Sequence, residues 1–136
     1  MEFPLEIISQ EKIVLKDSFE SILLRTLDGD IAVLPHHIPY IGIVKPGEII
    51  VKKDGREQVL ASTGGILEVT PEKVVILVDS AIRVEEIDEA QAENAKQKAE
   101  KLMHEHLSNA EIADVKASLE KALLYSSIAR KRRHHR

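Results

Sequence analysis

The stretch Val84-Glu-Glu-Ile-Asp-Glu-Ala-Gln-Ala92 divides the chain by the spacing of its apolar residues. Upstream they come in short β-branched runs such as Val74–Val78, or alternate, as Ile82 and Val84 do around Arg83. Downstream they recur every three or four positions, as Ala92, Ala95, Ala99 and Leu102 do. A period of two lines one face of a strand, and a period near 3.6 lines one face of a helix. All 6 glycines and all 5 prolines fall at or before Pro71, so the last 65 residues contain neither. Asp88, with Gln91 three positions on, has the spacing of a helix-capping box, and Glu85 and Glu86 place negative charge near the positive end of a helix dipole. The stretch predicts a seam between an N-terminal antiparallel β-sandwich, residues 1–86, and a C-terminal α-helical hairpin, residues 87–136.

Working back from the seam, turn chemistry cuts the first part into short strands. Leu5 and Ile7 alternate around Glu6, and residues 13–15 form an unbroken apolar run. A strand over residues 19–27 ends at Asp28-Gly29, a pair suited to a tight hairpin. Residues 31–34 are cut off by Pro35. Pro46-Gly47 marks a further turn, after which residues 48–53 pair with 56–61 across Asp54-Gly55. Thr63-Gly64-Gly65 reads as a flexible joint, and residues 66–69 and 74–78 flank a turn at Thr70-Pro71-Glu72. Closely spaced short strands without βαβ alternation argue a sandwich or barrel.

Forward from the seam, a first helix is predicted from about residue 89 to about 106, with a stripe of Ala92, Ala95, Ala99, Leu102 and His106. Ser108-Asn-Ala-Glu111 is a second capping box, so the connection is short and the helices run antiparallel. The second helix offers Ile112, Val115, Leu119, Ala122 and Leu123 on one face, with Leu124 and Ile128 off it. An alanine-rich seam buries little area, so the hairpin is expected to be thinly packed and mobile relative to the sandwich.

Composition excludes several classes of function. The chain has 136 residues, 43% hydrophobic and 31% charged, as a soluble globular protein does. There is no cysteine, hence no disulfide framework and no thiol chemistry. No apolar run approaches the roughly 20 residues that span a bilayer, and Met-Glu-Phe-Pro lacks the basic start of a signal peptide, so the expected location is the cytoplasm, without membrane insertion. Charge is unevenly spread. Residues 1–87 carry 9 basic against 15 acidic groups and residues 88–120 carry 4 against 8, whereas residues 121–136 carry 6 basic groups and no acid.

Catalytic signals are weak. There is no Walker loop, no Gly-x-Gly-x-x-Gly and no Gly-x-Ser-x-Gly. Of the 6 histidines, His104 and His106 point apart on a helix, and His36-His37 and His134-His135 are adjacent pairs without further ligands at a recognised spacing, so no metal site is expected. The tail Ala129-Arg-Lys-Arg-Arg-His-His-Arg136 suits nucleic-acid phosphates, an acidic protein partner, or simple complementation of a helix C-terminus. Composition does not separate these, although an acidic body poor in aromatic residues speaks against nucleic acid.

The run Gly29-Asp-Ile-Ala-Val-Leu-Pro-His-His-Ile-Pro39 resembles a loop of the ATP synthase epsilon subunit, which has Gly-Glu-(hydrophobic)-Gly-(hydrophobic)-(hydrophobic)-Pro-Gly-His-Ala-Pro there. The resemblance continues through Lys45-Pro-Gly47, Ser62-Thr-Gly-Gly-Ile-Leu-Glu-Val69 and Val78-Asp-Ser-Ala81. It ends at Ile87-Asp-Glu-Ala-Gln-Ala92, similar to the family's Ile/Leu-Asp-x-x-Arg-Ala. The resemblance implies a non-catalytic subunit of the rotary central stalk, peripheral on the cytoplasmic face of the inner membrane. Its implied partners are the gamma subunit, the ring of c subunits and the alpha–beta catalytic hexamer, with no cofactor. It implies that Ser9 and His37 face gamma and Asp30 the ring, with Pro35 and Pro39 bounding the interface loop. The hairpin either folds against the sandwich or extends to inhibit hydrolysis, through a tail of Arg130, Lys131, Arg132, Arg133 and Arg136. Asp88 and Gln91 occupy the motif that helps hold ATP in some members. Gln91 replaces the motif arginine, a cation suited to a triphosphate, so ATP binding is expected to be weak or absent and Asp88 to serve as a cap. Ala32 and His36 replace glycines of the loop. The alternative reading is a free-standing β-sandwich domain that binds a regulatory ligand.

Overall fold

Alternation in the first residues becomes strand β1, Phe3–Ile8, with Phe3, Leu5 and Ile7 inward and Pro4 outward. The computed structural model describes all of the chain except His106, His135 and Arg136 and the side chains of Arg133 and His134. The strands that follow are β2 (Ile13–Phe19), β3 (Ser21–Thr26), β4 (Gly29–Val33), β5 (Tyr40–Lys53), β6 (Arg56–Ser62), β7 (Gly65–Val69), β8 (Val74–Val78) and β9 (Ala81–Arg83). They hydrogen-bond in the order β2-β1-β8-β7-β5-β3-β4, with β6 on the second half of β5 and β9 beyond β6. β5 folds this ladder into two layers, because Tyr40–Val44 pair with β7 and Gly47–Lys53 with β6. One aliphatic core lies between the layers: Leu5, Ile7, Leu67 and Ile76 from the first, Ile22, Ile49, Val51 and Leu60 from the second. Pairing is antiparallel apart from β1 beside β8, which is parallel from Leu5↔Val74 to Ile8↔Leu77. The chain runs through β2–β7 between those strands, so no hairpin dictates their direction.

The structure corrects three readings of the sandwich. Phe19 ends β2, and a single residue, Glu20, carries the chain into β3, while Leu27 lies in the β3–β4 turn. Pro46-Gly47 is a bulge inside the 14-residue β5, not a turn between strands. Pairing with β7 stops at Val44 and pairing with β6 begins at Gly47, whose φ is +152°. Proline, which has no N–H to offer a ladder, sits in the gap between the two partners. Thr63-Gly64-Gly65 is closely packed and not a flexible joint: a Cβ on Gly65 would overlap the Leu77 carbonyl. Thr63 N–H donates to Ser80 O at 3.0 Å, and Ser80 N–H donates back to Thr63 Oγ1 at 3.0 Å. Asp54-Gly55 forms its tight turn with φ of +52° and +76°.

The chain divides into two compact units, Met1–Arg83 and Val84–Arg136, three residues before the boundary expected at 86/87. The second unit begins with a single 3-10 turn, Val84–Glu86, followed by α1 (Glu89–Leu102) and α2 (Asn109–His134). Asp88 caps α1, its Oδ1 accepting from Gln91 N–H at 3.1 Å. At Ser108 the box closes in both directions: Ser108 N–H donates to Glu111 Oε1 and Glu111 N–H donates to Ser108 Oγ, each at 3.2 Å. α1 ends at Leu102, earlier than expected, as i→i−3 bonds from His104 and Glu105 tighten the chain into a turn.

The hairpin seam also differs from the expected stripes. In α1 only Ala99 is fully buried, and His106 lies outside the described residues. In α2, Ile112 and Leu123 are exposed, while burial runs through Ala122, Tyr125, Ser126, Ile128 and Ala129. The 3-10 turn packs on α2. A cleft of about 370 Å³ between the helices, lined by Ala95, Ala99, Leu102 and Val115 among others, is where alanines leave space that larger side chains would fill. No helix among the described residues is long and apolar enough to cross a membrane.

Candidate partner interface

Directly paired residues on neighbouring strands point to the same face of a sheet. Following the register outward from β5, Ile43 pairs with Ile66, Ile66 with Leu77, Leu77 with Ile8, and Ile8 with Ile13. Five aliphatic side chains therefore form one row across the outer face of the first layer. Four of them are half exposed: Ile13 57%, Ile43 55%, Ile66 49% and Leu77 50%. With strands about 4.8 Å apart, the row is roughly 19 Å long. Ile41, 73% exposed, extends it along β5. The next row is mixed, running Ile41, Glu68, Val75, Glu6, Lys16. There Glu6 reaches Lys16 and Lys73 at 3.8 Å each, solvent-facing pairs that bound the apolar row and add little stability.

The residues singled out in the sequence are distributed around this row. Ser9 follows Ile8 at its end, but its hydroxyl is occupied by the β1–β2 turn, accepting from Lys12 N–H at 3.3 Å and donating to Lys12 O at 3.2 Å. Pro35, His37 and Pro39 lie in the loop that feeds β5 and hence Ile41 and Ile43. His36 takes φ +67° there, His37 N–H donates to Leu34 O at 3.2 Å, and His37 Nδ1 lies 2.6 Å from Ile38 O. The same loop exposes Leu34 and Ile38. Asp30 is not brought to the row. It sits on the outer face of the second layer, paired with Arg25 at 3.2 Å, beside the exposed turn residue Leu27.

In the second unit, Asp88 Oδ1 accepts the Gln91 backbone N–H, and the Gln91 side chain is exposed. Arg130, Lys131 and Arg132 lie in the last turns of α2, with Arg130 Nη2 3.5 Å from Ser126 Oγ. Arg136 and the side chain of Arg133 lie outside the described residues.

Sequence reasoning missed the apolar row itself, although it left a signal. A half-buried strand alternates, yet Ile7-Ile8, Ile66-Leu67 and the run through Val78 are apolar in both phases, the pattern of strands covered on two faces. It also missed a carboxylate group, Glu2, Glu20 and Asp54, whose oxygens lie within 4.8 Å of one another. Lys53 stands beside it, its ammonium pKa raised first by the hydrogen bond to Asp17 and further by the charges of Glu2 and Asp54. At the far end of β5, the Tyr40 phenol is pushed above its ordinary pKa by a 2.6 Å hydrogen bond to Asp28.

Comparison with known proteins agrees with this architecture. The family model of the ATP synthase delta/epsilon chain β-sandwich domain matches residues 2–84. The ATP synthase epsilon chain of Herpetosiphon aurantiacus is 34% identical over 134 residues, covering 98% of this chain and 98% of its own length. That of Dehalococcoides mccartyi is 38% identical over 132 residues, covering 96% and 94%. Among solved structures, a chain of the Euglena gracilis mitochondrial ATP synthase, in an assembly of OSCP, F1 and c-ring, superposes with a TM-score of 0.71 at 22% identity, covering 93% of this chain and 81% of that one. A chain of the Tetrahymena thermophila central stalk and c-ring does so with a TM-score of 0.59 at 13% identity, covering 95% and 97%. At those identities the structural likeness is one of fold. The match to epsilon chains supports the subunit reading and not the free-standing ligand-binding domain, because the aligned stretch spans both units of the chain. Matched by the β-sandwich model over nearly all of its first unit and by epsilon chains along its full length, the chain belongs to the ATP synthase delta/epsilon family, as a non-catalytic subunit of the epsilon type.

Proposed function

We propose that the chain couples the gamma subunit to the c ring in the central stalk, and that the row Ile13, Ile8, Leu77, Ile66, Ile43 is its docking face for gamma. The observation that carries this reading is the row itself. Covering a half-exposed aliphatic side chain contributes about 1 kcal/mol, and five in register supply a contact that scattered surface residues do not. Ser9 at one end and the loop of Pro35, His37 and Pro39 at the other frame the row, while Asp30 and the β3–β4 turn face the ring. The chain is held peripherally on the cytoplasmic face of the inner membrane by these contacts. The β-sandwich, residues 1–86, is the assembly module, and residues 87–136 are the regulatory one. Arg130, Lys131, Arg132, Arg133 and Arg136 stabilise an extended, inhibitory hairpin against acidic segments of the alpha–beta hexamer.

Co-purification with gamma tests the docking face. Ile66→Lys and Leu77→Lys each put a charge at the centre of the row on a side chain already half in water, so the sandwich should fold normally. We expect each to weaken gamma binding at least about tenfold, the equivalent of about 1.4 kcal/mol. Undiminished binding by both would remove the row as the interface.

A further inference from the structure

We infer that Tyr40 is a positioning residue for the β3–β4 turn, using the space left by Gly42 to hold Asp28 and so set how Leu27 and Asp30 meet their partner. The inference rests on the reading above that this turn faces the ring. Tyr40 opens β5 and packs against the core from its end. Gly42, two residues on, lies on the same face of the strand. A Cβ there would fall on Cε1, Cζ and Oη of Tyr40, so the ring lies over the glycine, and any larger residue would push it away. From that seat the phenol donates to Asp28 Oδ2 at 2.6 Å, a short charge-assisted bond spanning 12 residues of sequence. The turn is otherwise tied by its own Thr26, whose Oγ1 accepts from Asp28 N–H at 3.1 Å and donates to Gly29 O at 2.9 Å, and by Leu27 N–H donating to Ile43 O at 3.0 Å. The Thr26 bonds shape the turn locally, and the Leu27 bond ties its first residue to β5 by the backbone alone. The phenol fixes its tip to the strand that also carries Ile41 and Ile43.

The test uses the full-length chain and its reconstituted F1 complex. Tyr40→Phe keeps the ring and removes the donor. We expect amide exchange at Leu27 and Asp28 to accelerate, and rebinding of F1 to stripped membranes to weaken roughly threefold to tenfold, with the melting temperature unchanged. Asp28→Asn retains an acceptor oxygen without the charge and should fall between the parent and Tyr40→Phe, whereas Asp28→Ala should match Tyr40→Phe. Gly42→Ala should reproduce the defect when Tyr40 is present and be silent beside Tyr40→Leu, a dependence that generic destabilisation does not produce. Leu27→Asp probes the underlying reading. If it leaves rebinding intact, the turn does not face the ring and the inference falls with that reading. If it weakens rebinding while Tyr40→Phe does not, the inference alone is overturned.

Discussion

Glu111 shows how a single side chain registers in both stability and sequence. Its carboxylate is held below its ordinary pKa of 4.5, first by the Ser108 hydroxyl and then by the Ser108 backbone N–H. A depressed carboxylate pKa contributes stability above the unfolded value, and that contribution is lost as pH falls through the folded one. Acidification below about pH 4.5 should therefore release the start of α2, seen as faster amide exchange at Glu111 and Ile112, and Glu111→Gln should remove the pH dependence. At the other cap, Gln91 brings no charge to a polyphosphate, and Glu89 and Glu93 stand nearby. Calorimetric titration should show weak or no ATP binding, and Gln91→Arg should strengthen it. Both caps were legible in the sequence because capping is local chemistry between residues three apart. The burial of Tyr125 and Ala129 in place of Leu123 was not, because which face of a helix is covered is set by its tertiary neighbours and not by the spacing within α2.

At the scale of elements, glycine and proline marked breaks correctly wherever a break meant reversal, as at Asp54-Gly55, and misled where the chain runs straight on. Pro46-Gly47 looks like a turn in one dimension and is a change of partner in three. Gly64-Gly65 looks permissive and is crowded, with Gly64 at φ +99° and its absent Cβ position 2.7 Å from Val44 O. Gly65→Ala must displace β7 from β8, and we expect it to lower stability by more than about 2 kcal/mol in a denaturant titration. The apolar row was half legible. Ile13, Ile66 and Leu77 were read as strand, but residues 40–45, which carry Ile43, were not assigned to one, and the shared face emerges only when the four pairings are laid side by side.

For the whole molecule, the division into a β unit and a helical unit was the most legible feature, because the period of apolar residues changes across Val84–Ala92 and no glycine or proline follows Pro71. A chain ending at Glu86 should melt cooperatively on its own, since the branched aliphatic core lies within the first unit. An unfolded or aggregated product would refute the two-module reading. Neutralising Arg130, Lys131, Arg132, Arg133 and Arg136 together should relieve inhibition of ATP hydrolysis in the reconstituted complex while leaving gamma binding intact, most clearly at low salt, where surface charge is least screened. Unchanged inhibition would leave those charges only the task of keeping a helix end soluble. Because β5 runs unbroken through both layers, a shear pulling one layer past the other acts along covalent backbone and not only across hydrogen bonds. A force entering at Leu27 reaches Ile43 through one backbone bond and spreads into β7, β8, β1 and β2. The sandwich should therefore twist as one stiff body, its two faces turning together with little lag.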